Sequence, residues 1–259
     1  MISLGPLVAV TAGVTLVAAA VTFGVARLRG RYDTVDTFWG LGFAIIAVVA
    51  FPFGSGPLSL RLVTAALTVV WAVRLSVYLH LRNRGKPEDP RYVRIAKRGS
   101  AARMFVRTYL MQALVLWFVS LPVQFAMYGD GLGALGWIGV AVWAVGFTFE
   151  SVGDDQLRRF KADPGNRGKV LDTGLWRYTR HPNYFGDACV WWGLYLLACS
   201  TWPGAATVLS PIVMTFTLAR GTGKPMLEKG MRHTRPGYAH YVERTSGFFP
   251  LPPKRLTPR

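Results

Sequence analysis

The stretch Gly165-Asn-Arg-Gly-Lys-Val-Leu-Asp-Thr-Gly-Leu-Trp-Arg-Tyr-Thr-Arg-His-Pro-Asn-Tyr-Phe-Gly-Asp187 decides the fold. It opens as a basic loop punctuated by glycine and closes inside an apolar run. Pro182 suits the first turn of a helix, where its missing N–H has no intrahelical partner to lose. The segment therefore reads as a cationic loop feeding the N-terminus of a buried helix, a natural seat for anions. Asn183 and Asp187 are four apart and share one face of that helix. Arg167, Lys169, Tyr178, Arg180 and His181 in the loop are candidates to face an anionic cofactor. A solvated basic loop obeying the positive-inside rule accounts for the same charges in plainer terms.

Outward from this stretch, the 259-residue chain is 51% hydrophobic and 17% charged, with nine Trp and fifteen Phe. Such a chain is far from disordered and reads as a polytopic membrane protein. Apolar runs fall at about 4–26, 35–53, 60–80, 105–127, 133–150, 184–200 and 202–220. The second and sixth are short but can span with their flanks. The first lacks a basic segment ahead of it and is too long for a signal-peptide core, so it is expected to be a retained helix. The expected architecture is all-α: one integral membrane domain over residues 1–259, with seven transmembrane helices and a tail at 221–259.

Charge sets the expected orientation. Arg27, Arg29 and Arg31 follow the first run, eight Lys/Arg lie from Arg82 to Arg103, and Arg107 opens the fourth run. Seven more lie from Arg158 to Arg180 and nine from Arg220 to Arg259. The opposite loops carry only Asp130, so the N-terminus is expected outside and the basic loops and tail in the cytoplasm. The net charge of +17 is thereby segregated to one membrane face. Topology and anionic lipid contact account for most of it, rather than nucleic acid. Cys189 and Cys199 both lie in the sixth run and form neither a disulfide framework nor a metal motif, and the histidines add no metal-ligand spacing.

Polar groups enter the apolar runs at few places. In the second run Thr34 reads as an N-cap and Asp36 as a first-turn acid suited to the helix dipole. On the functional reading, Asp36 and Trp39 line the cytoplasmic mouth of a lipid-accessible cavity. Arg74 lies inside the third run with Tyr78 one turn later, and an ionisable residue there is a functional or paired group by default. The following loop, with Asn83, Arg84, Lys86 and Tyr92, can offer guanidinium forks to phosphates and an aromatic ring to a flat ligand. Glu150, Asp154 and Arg158 continue one helical face and can bind hydroxyls or an amide, or neutralise nearby Arg. Glu228 joins the polar ring at the base of the seventh helix. Tyr238, Tyr241 and Phe248 can form a short amphipathic cap, and Phe248 to Pro253 also reads as a membrane-surface anchor. Gly131-Leu-Gly-Ala-Leu-Gly136 follows no strand, and Gly221-Thr-Gly-Lys-Pro225 lacks phosphate-loop spacing; both are set aside.

Thr173-Gly-Leu-Trp-Arg-Tyr-Thr-Arg-His-Pro-Asn-Tyr-Phe-Gly-Asp187, Glu228 and Gly237-Tyr-Ala-His-Tyr-Val-Glu-Arg-Thr-Ser246 together resemble the steroid 5-alpha-reductase family. The resemblance is closer to that family's bacterial branch of functionally unassigned membrane proteins, and it covers about residues 30–253. Asn83-Arg-Gly-Lys-Pro87 is similar to the loop after the family's third helix. The resemblance implies a seven-helix bundle, NADPH held at the cytoplasmic side, and hydride delivered to an activated C=C in a lipid-facing cavity. It implies cofactor roles for Asn183 and Asp187 on the sixth helix and for Asp154 after the fifth. Lys161 and Lys169 fall where the family places Arg near phosphates, Arg220 matches an Arg ending the seventh helix, and Arg74 and Lys86 match basic positions around the third. The family's Gln-Glu pair on the second helix is replaced by Asp36 and Thr37, and its third-helix Tyr by Trp71. These departures bear on steroid specificity, not on reduction of a lipid enone or alkene.

Arg-His-Pro-x-Tyr-x-Gly followed by a late Glu is also similar to the isoprenylcysteine and phospholipid methyltransferases, which use S-adenosylmethionine. That cofactor has no phosphates, so the dense basic loops favour the reductase. The sequence thus leads us to expect an NADPH-dependent reductase of a hydrophobic small molecule, a monomer in a bacterial inner membrane. Asp36, Trp39 and Tyr78 are its catalytic candidates. Tyr241 joins the cofactor set, and no nucleic-acid partner is expected.

Overall fold

The computed structural model describes residues 3–97, 99–221 and 223–255. Its elements are α1 (Leu4–Arg29), α2 (Thr34–Ala50), α3 (Leu58–Asn83), α4 (Pro90–Lys97), α5 (Ala101–Met104), α6 (Met111–Val119), α7 (Leu121–Ala126), α8 (Ala134–Ala162), α9 (Pro182–Ala198), α10 (Trp202–Ala205), α11 (Leu209–Ala219), α12 (Lys224–Thr234) and α13 (Tyr238–Arg244). A 3₁₀ turn carries α2 on to Phe53, and the π-helical turn Phe105–Leu110 joins α5 to α6. Among the described residues the extended pairing is a single parallel bridge, Thr179 to Ser246.

Among the described residues, six helical stretches are long and apolar enough to cross a membrane: Leu4–Arg29, Thr34–Phe53, Leu58–Asn83, Ala101–Ala126, Ala134–Ala162 and Trp202–Arg232. The protein is built as an integral membrane protein. The sixth apolar run differs from the others. It forms α9, which has 17 residues and a length of about 26 Å, short of the roughly 30 Å hydrocarbon core. By contrast α8 has 29 residues, so it runs about 44 Å and carries its acidic end well past its apolar part.

Local chemistry sets the ends of these helices. Gly30 ends α1 at φ 65°, the left-handed conformation glycine adopts without a Cβ penalty, and its N–H closes onto Ala26 and Arg27 carbonyls. Pro182 opens α9 as the sequence predicts. Thr34 is not the cap of α2 but its first helical residue, and Asp33 holds the cap position. The Asp33 carboxylate is engaged by Arg31 at 2.6 Å, and the Thr34 hydroxyl donates to the Arg31 carbonyl at 2.8 Å. The fourth stretch breaks at Ser120 because Pro122, just beyond, has no N–H for the ladder.

The chain packs as two compact units, Met1–Trp137 with Leu194–Ser210, and Ile138–Gly193 with Pro211–Arg259. In the first unit α2 packs against both α1 and α3. Gly40 permits the α2–α3 approach: a Cβ there would lie 2.6 Å from the Ala72 carbonyl oxygen. Phe43 and Trp71 are fully buried with ring centroids 5.5 Å apart, and Trp39 meets Phe43 edge-on at 5.6 Å.

The second unit relies on glycine more systematically. Gly139, Gly146 and Gly153 on α8 recur every seven residues, as do Gly186 and Gly193 on α9. A Cβ at Gly146 would lie 2.6 Å from the Gly186 carbonyl oxygen, and one at Gly193 2.6 Å from that of Gly139. Pro182 seats against Gly153 at the end of the row. Close backbone approach through small residues is the usual way for membrane helices to associate where lipid removes the hydrophobic drive.

Candidate functional site

Some of the sequence-predicted residues gather into polar clusters within each unit, and others stand exposed. In the first, α2 supplies Asp36 from its first turn, the end of α3 supplies Arg82 and Asn83, and α4 supplies Tyr92. The Tyr92 hydroxyl donates to Asp36 Oδ1 at 2.7 Å, and Asn83 Nδ2 donates to Oδ2 at 3.2 Å. Arg82 reaches the same oxygen at 3.8 Å, and the Asp36 side chain keeps 17% of its exposure. Burial, and then the adjacent Asp36 carboxylate, push the Tyr92 phenol above its ordinary value. Tyr92 therefore stays a proton-bearing donor throughout the physiological range.

Two residues outside the predicted set hold this cluster in place. Glu88 Oε1 accepts from the Asp33 backbone N–H at 3.1 Å and also from that of Tyr32. Arg31 donates to the Lys86 carbonyl at 2.8 Å. The loop after α3 is thus tied back to the α1–α2 turn, which lets α4 present Tyr92 to Asp36. A signal was present in the sequence: Glu88 and Asp89 are the two acids in an otherwise basic loop. One turn and two turns deeper on α3 than Arg82, Tyr78 and Arg74 form a stack, with the Tyr78 ring 5.4 Å from the Arg74 guanidinium and 6.0 Å from that of Arg82.

In the second unit the glycine-packed α8 and α9 bring Asn183 Nδ2 to Asp154 Oδ1 at 3.1 Å. Glu150, one turn before Asp154 on α8, and Asp187, one turn after Asn183 on α9, are both buried. Arg158 is exposed and pairs with Asp155 at 2.6 Å. Lys161, Arg167, Lys169, Tyr178 and Arg220 are exposed. Lys169 lines a cleft of about 200 Å³ with Asp172, Gly237, His240, Tyr241 and Arg244.

Arg180 and His181 are placed differently from their loop neighbours. Arg180 Nε meets Glu228 Oε1 at 2.9 Å, Nη2 meets Oε2 at 3.4 Å, and Nη1 donates to the carbonyls of Val242 and Thr245. The guanidinium thereby caps the C-terminal carbonyls of α13, a placement that also suits the helix dipole. His181 Nε2 lies 3.1 Å from Glu228 Oε1 and is 2% exposed. Burial holds its pKa below the ordinary histidine value, against the pull of Glu228.

Backbone hydrogen bonds extend the clasp. Arg180 N donates to the Ser246 carbonyl at 2.9 Å, Leu251 N to that of Tyr178 at 3.0 Å, and the Thr179 hydroxyl to that of Phe248 at 2.8 Å. The Tyr241 hydroxyl donates to the Trp176 carbonyl, and Trp176 Nε1 donates to Gly153 at 3.0 Å. Tyr238, Tyr241 and Phe248 are buried in this assembly, while Phe249 alone of the aromatic end is well exposed.

The chain belongs to the family described as protein of unknown function (DUF1295), whose sequence profile matches residues 22–245. It is similar to an uncharacterized protein of Schizosaccharomyces pombe, 24% identical over 269 residues, covering 89% of this chain and 76% of the yeast protein. It is also similar to 3-oxo-5-alpha-steroid 4-dehydrogenase 1 of Mus musculus, 32% identical over 114 residues. That second match covers 41% of this chain and 42% of the mouse protein. No solved structure matches.

Proposed function

We propose that the protein is a membrane reductase that uses NADPH to saturate an activated C=C bond in a hydrophobic lipid. In this reading it acts as a monomer in a bacterial inner membrane, spans it seven times with α9 as the sixth span, and opens its site to the cytoplasm. The observation that carries the reading is the Asp36 carboxylate held at the start of a membrane helix by Tyr92 and Asn83. The partial match to the mouse steroid dehydrogenase supports it.

The donor set suits a pyridine dinucleotide phosphate. Exposed Lys161, Arg167, Lys169 and Arg220 supply cations for phosphates, and the Asn183–Asp154 pair supplies an amide and an acid for ribose or carboxamide groups. When bound, NADPH supplies the hydride. Reduction of a C=C bond also takes up one proton, and the Asp36–Tyr92 pair is the donor this reading assigns to it. Asn83 and Arg82 hold the carboxylate in place, and Trp39, edge-on to Phe43, walls the apolar side. General acid catalysis of this kind is worth about 10²–10⁴-fold.

The test incubates membranes with NADPH deuterated on its nicotinamide ring and an extracted lipid pool. Deuterium entering a lipid, and reduced by about 10²–10⁴-fold in Asp36→Asn, supports the reading. A lipid pool without label, together with methyl transfer from labelled S-adenosylmethionine, overturns it in favour of a methyltransferase.

A further inference from the structure

Tyr32, in the α1–α2 turn, ties two later segments of the first unit to one backbone position. Its N–H donates to the Glu88 carboxylate, just ahead of α4, and its carbonyl accepts from the Tyr109 hydroxyl at 2.8 Å. Tyr109 belongs to the π-helical turn Phe105–Leu110, where the Met111 N–H reaches back to the Val106 carbonyl. Single π-turns inside α-helices frequently sit at functional sites. This one is braced by Phe23 of α1, whose ring centroid lies 5.3 Å from that of Phe105 and 5.1 Å from that of Tyr109. The segments that follow the two tethers, α4 and the start of α6, are therefore registered against the same turn.

Tyr92 comes from α4, and from α6 comes Gln112, the one amide side chain of that apolar helix. An amide in such surroundings is costly without a partner. Tyr92 is 7% exposed, and a phenol has one proton to give and lone pairs to fill. The proton goes to Asp36 Oδ1 at 2.7 Å. The hydroxyl also makes a side-chain hydrogen bond with Gln112. With the only phenol proton committed to Asp36, Gln112 is the donor of that second bond. The electrostatics agree: the Gln112 bond works against the upward push of burial on the Tyr92 pKa, as an N–H given to a phenol oxygen does. The hydrogen bonds thus run in one direction, from the amide to the phenol and from the phenol to the carboxylate.

We propose that Gln112 is a positioning residue for this site: its amide N–H holds the Tyr92 oxygen so that the phenol proton is aimed at Asp36. The catalytic consequence rests on the reductase reading, in which the Asp36–Tyr92 pair supplies the proton. Gln112 acts through Tyr92, not on the lipid or the dinucleotide directly.

A double-substitution cycle in the detergent-solubilised full chain tests it. The variants are Tyr92→Phe and Gln112→Met, which keeps the side chain's bulk and removes its amide. Two quantities are followed: deuterium transfer from ring-deuterated NADPH to an extracted lipid pool, and the melting temperature. One neutral hydrogen bond corresponds to roughly 2–12-fold in rate, so Gln112→Met should slow transfer at saturating NADPH by about that factor. The KM for NADPH should not change. In the Tyr92→Phe background the same substitution should slow transfer no further, since the hydroxyl it acts on is gone. The melting loss of the double variant should likewise be smaller than the sum of the two single losses. An unslowed Gln112→Met, or equal slowing with and without the Tyr92 hydroxyl, overturns the proposal. Strictly additive melting losses overturn it too, and they can be read even where no lipid takes up deuterium. Unlabelled lipids together with less-than-additive melting losses would remove the reductase reading and leave the positioning of Tyr92 by Gln112 supported.

Discussion

Arg82 approaches Asp36 at 3.8 Å with its side chain 43% exposed, whereas Arg180 and Glu228 meet at 2.9 Å with side chains 9% and 10% exposed. The first pair leaves a carboxylate within reach of water and ligand. The second removes both charges from water and adds carbonyl acceptors until the guanidinium is saturated. Both pairs come from basic, glycine-bearing loops of similar composition. What separates them is the tail: α12 and α13 fold back over the second loop with an acid and a row of carbonyls, whereas the first loop region supplies its own Tyr92 and Asn83 to Asp36. A basic loop in this protein is thus a structural clasp where a later segment covers it and stays open where none does.

The sharpest way to break this comparison is Glu228→Ala. It strands Arg180 as a buried charge without its acid, which should cost about 3–5 kcal/mol and lower the melting temperature markedly in detergent. An unchanged melt would mean that the clasp is not structural. Gly40→Ala and Gly186→Ala ask whether the two units share one packing logic despite their different polar clusters. Each forces a methyl against a neighbouring backbone, and each should destabilise by about 1–3 kcal/mol in the same melting assay. A tolerated Gly186→Ala would remove the glycine row as the reason Asn183 meets Asp154.

Acidification probes the second cluster through His181. His181 has its folded pKa depressed, so the unfolded chain binds the proton more readily. Its contribution to stability is complete above the unfolded pKa of about 6.5 and is lost as pH falls toward the folded value, at no more than about 1.4 kcal/mol per pH unit. Melting at pH 5.5 should lie below that at pH 7.5, and His181→Asn should flatten the difference. The smallest effect is expected from Arg82→Ala. An exposed pair at this distance contributes about 0–1 kcal/mol, so the melt should barely move. A large destabilisation there would erase the contrast with Glu228.

Much of this architecture was legible before any coordinates. Long apolar runs bounded by Arg, Gly and Pro mark helices because lipid leaves the backbone no other partner, and α1, α3 and the start of α9 fall where those residues put them. The Asn183–Asp187 spacing likewise put both on one face of α9, where Asp187 is buried and the half-buried Asn183 meets Asp154. The role of Arg180 was not legible. Its acid lies 48 residues away and its neighbours in sequence are exposed cations, so nothing local distinguishes a clasp from a phosphate ligand. Tyr92 presented the same difficulty, since 56 residues separate it from Asp36. Read locally, it is an aromatic ring available for stacking, and it is the Glu88 and Arg31 tethers, distant in sequence, that bring its hydroxyl to the carboxylate. The shortness of α9 was legible, since the sixth apolar run is as short as the 17-residue helix it forms.

The bridge between Thr179 and the strand-like end of the tail has a consequence for synthesis. Thr179 waits for Phe248, which the ribosome makes 69 residues later. At translation rates of roughly 5–20 residues per second, that is an interval of about 3–14 s. During it the loop's Arg, His and backbone donors wait for groups that arrive one after another, Glu228 before Val242, Thr245 and Ser246, and Phe248 last. Insertion of α1 to α9 can proceed without the tail, but the second unit cannot close until α12 and α13 have been made. A ribosome stalled before Glu228 would therefore display the loop open, and a protease site placed near Thr179 would be cut on nascent chains and spared on finished ones.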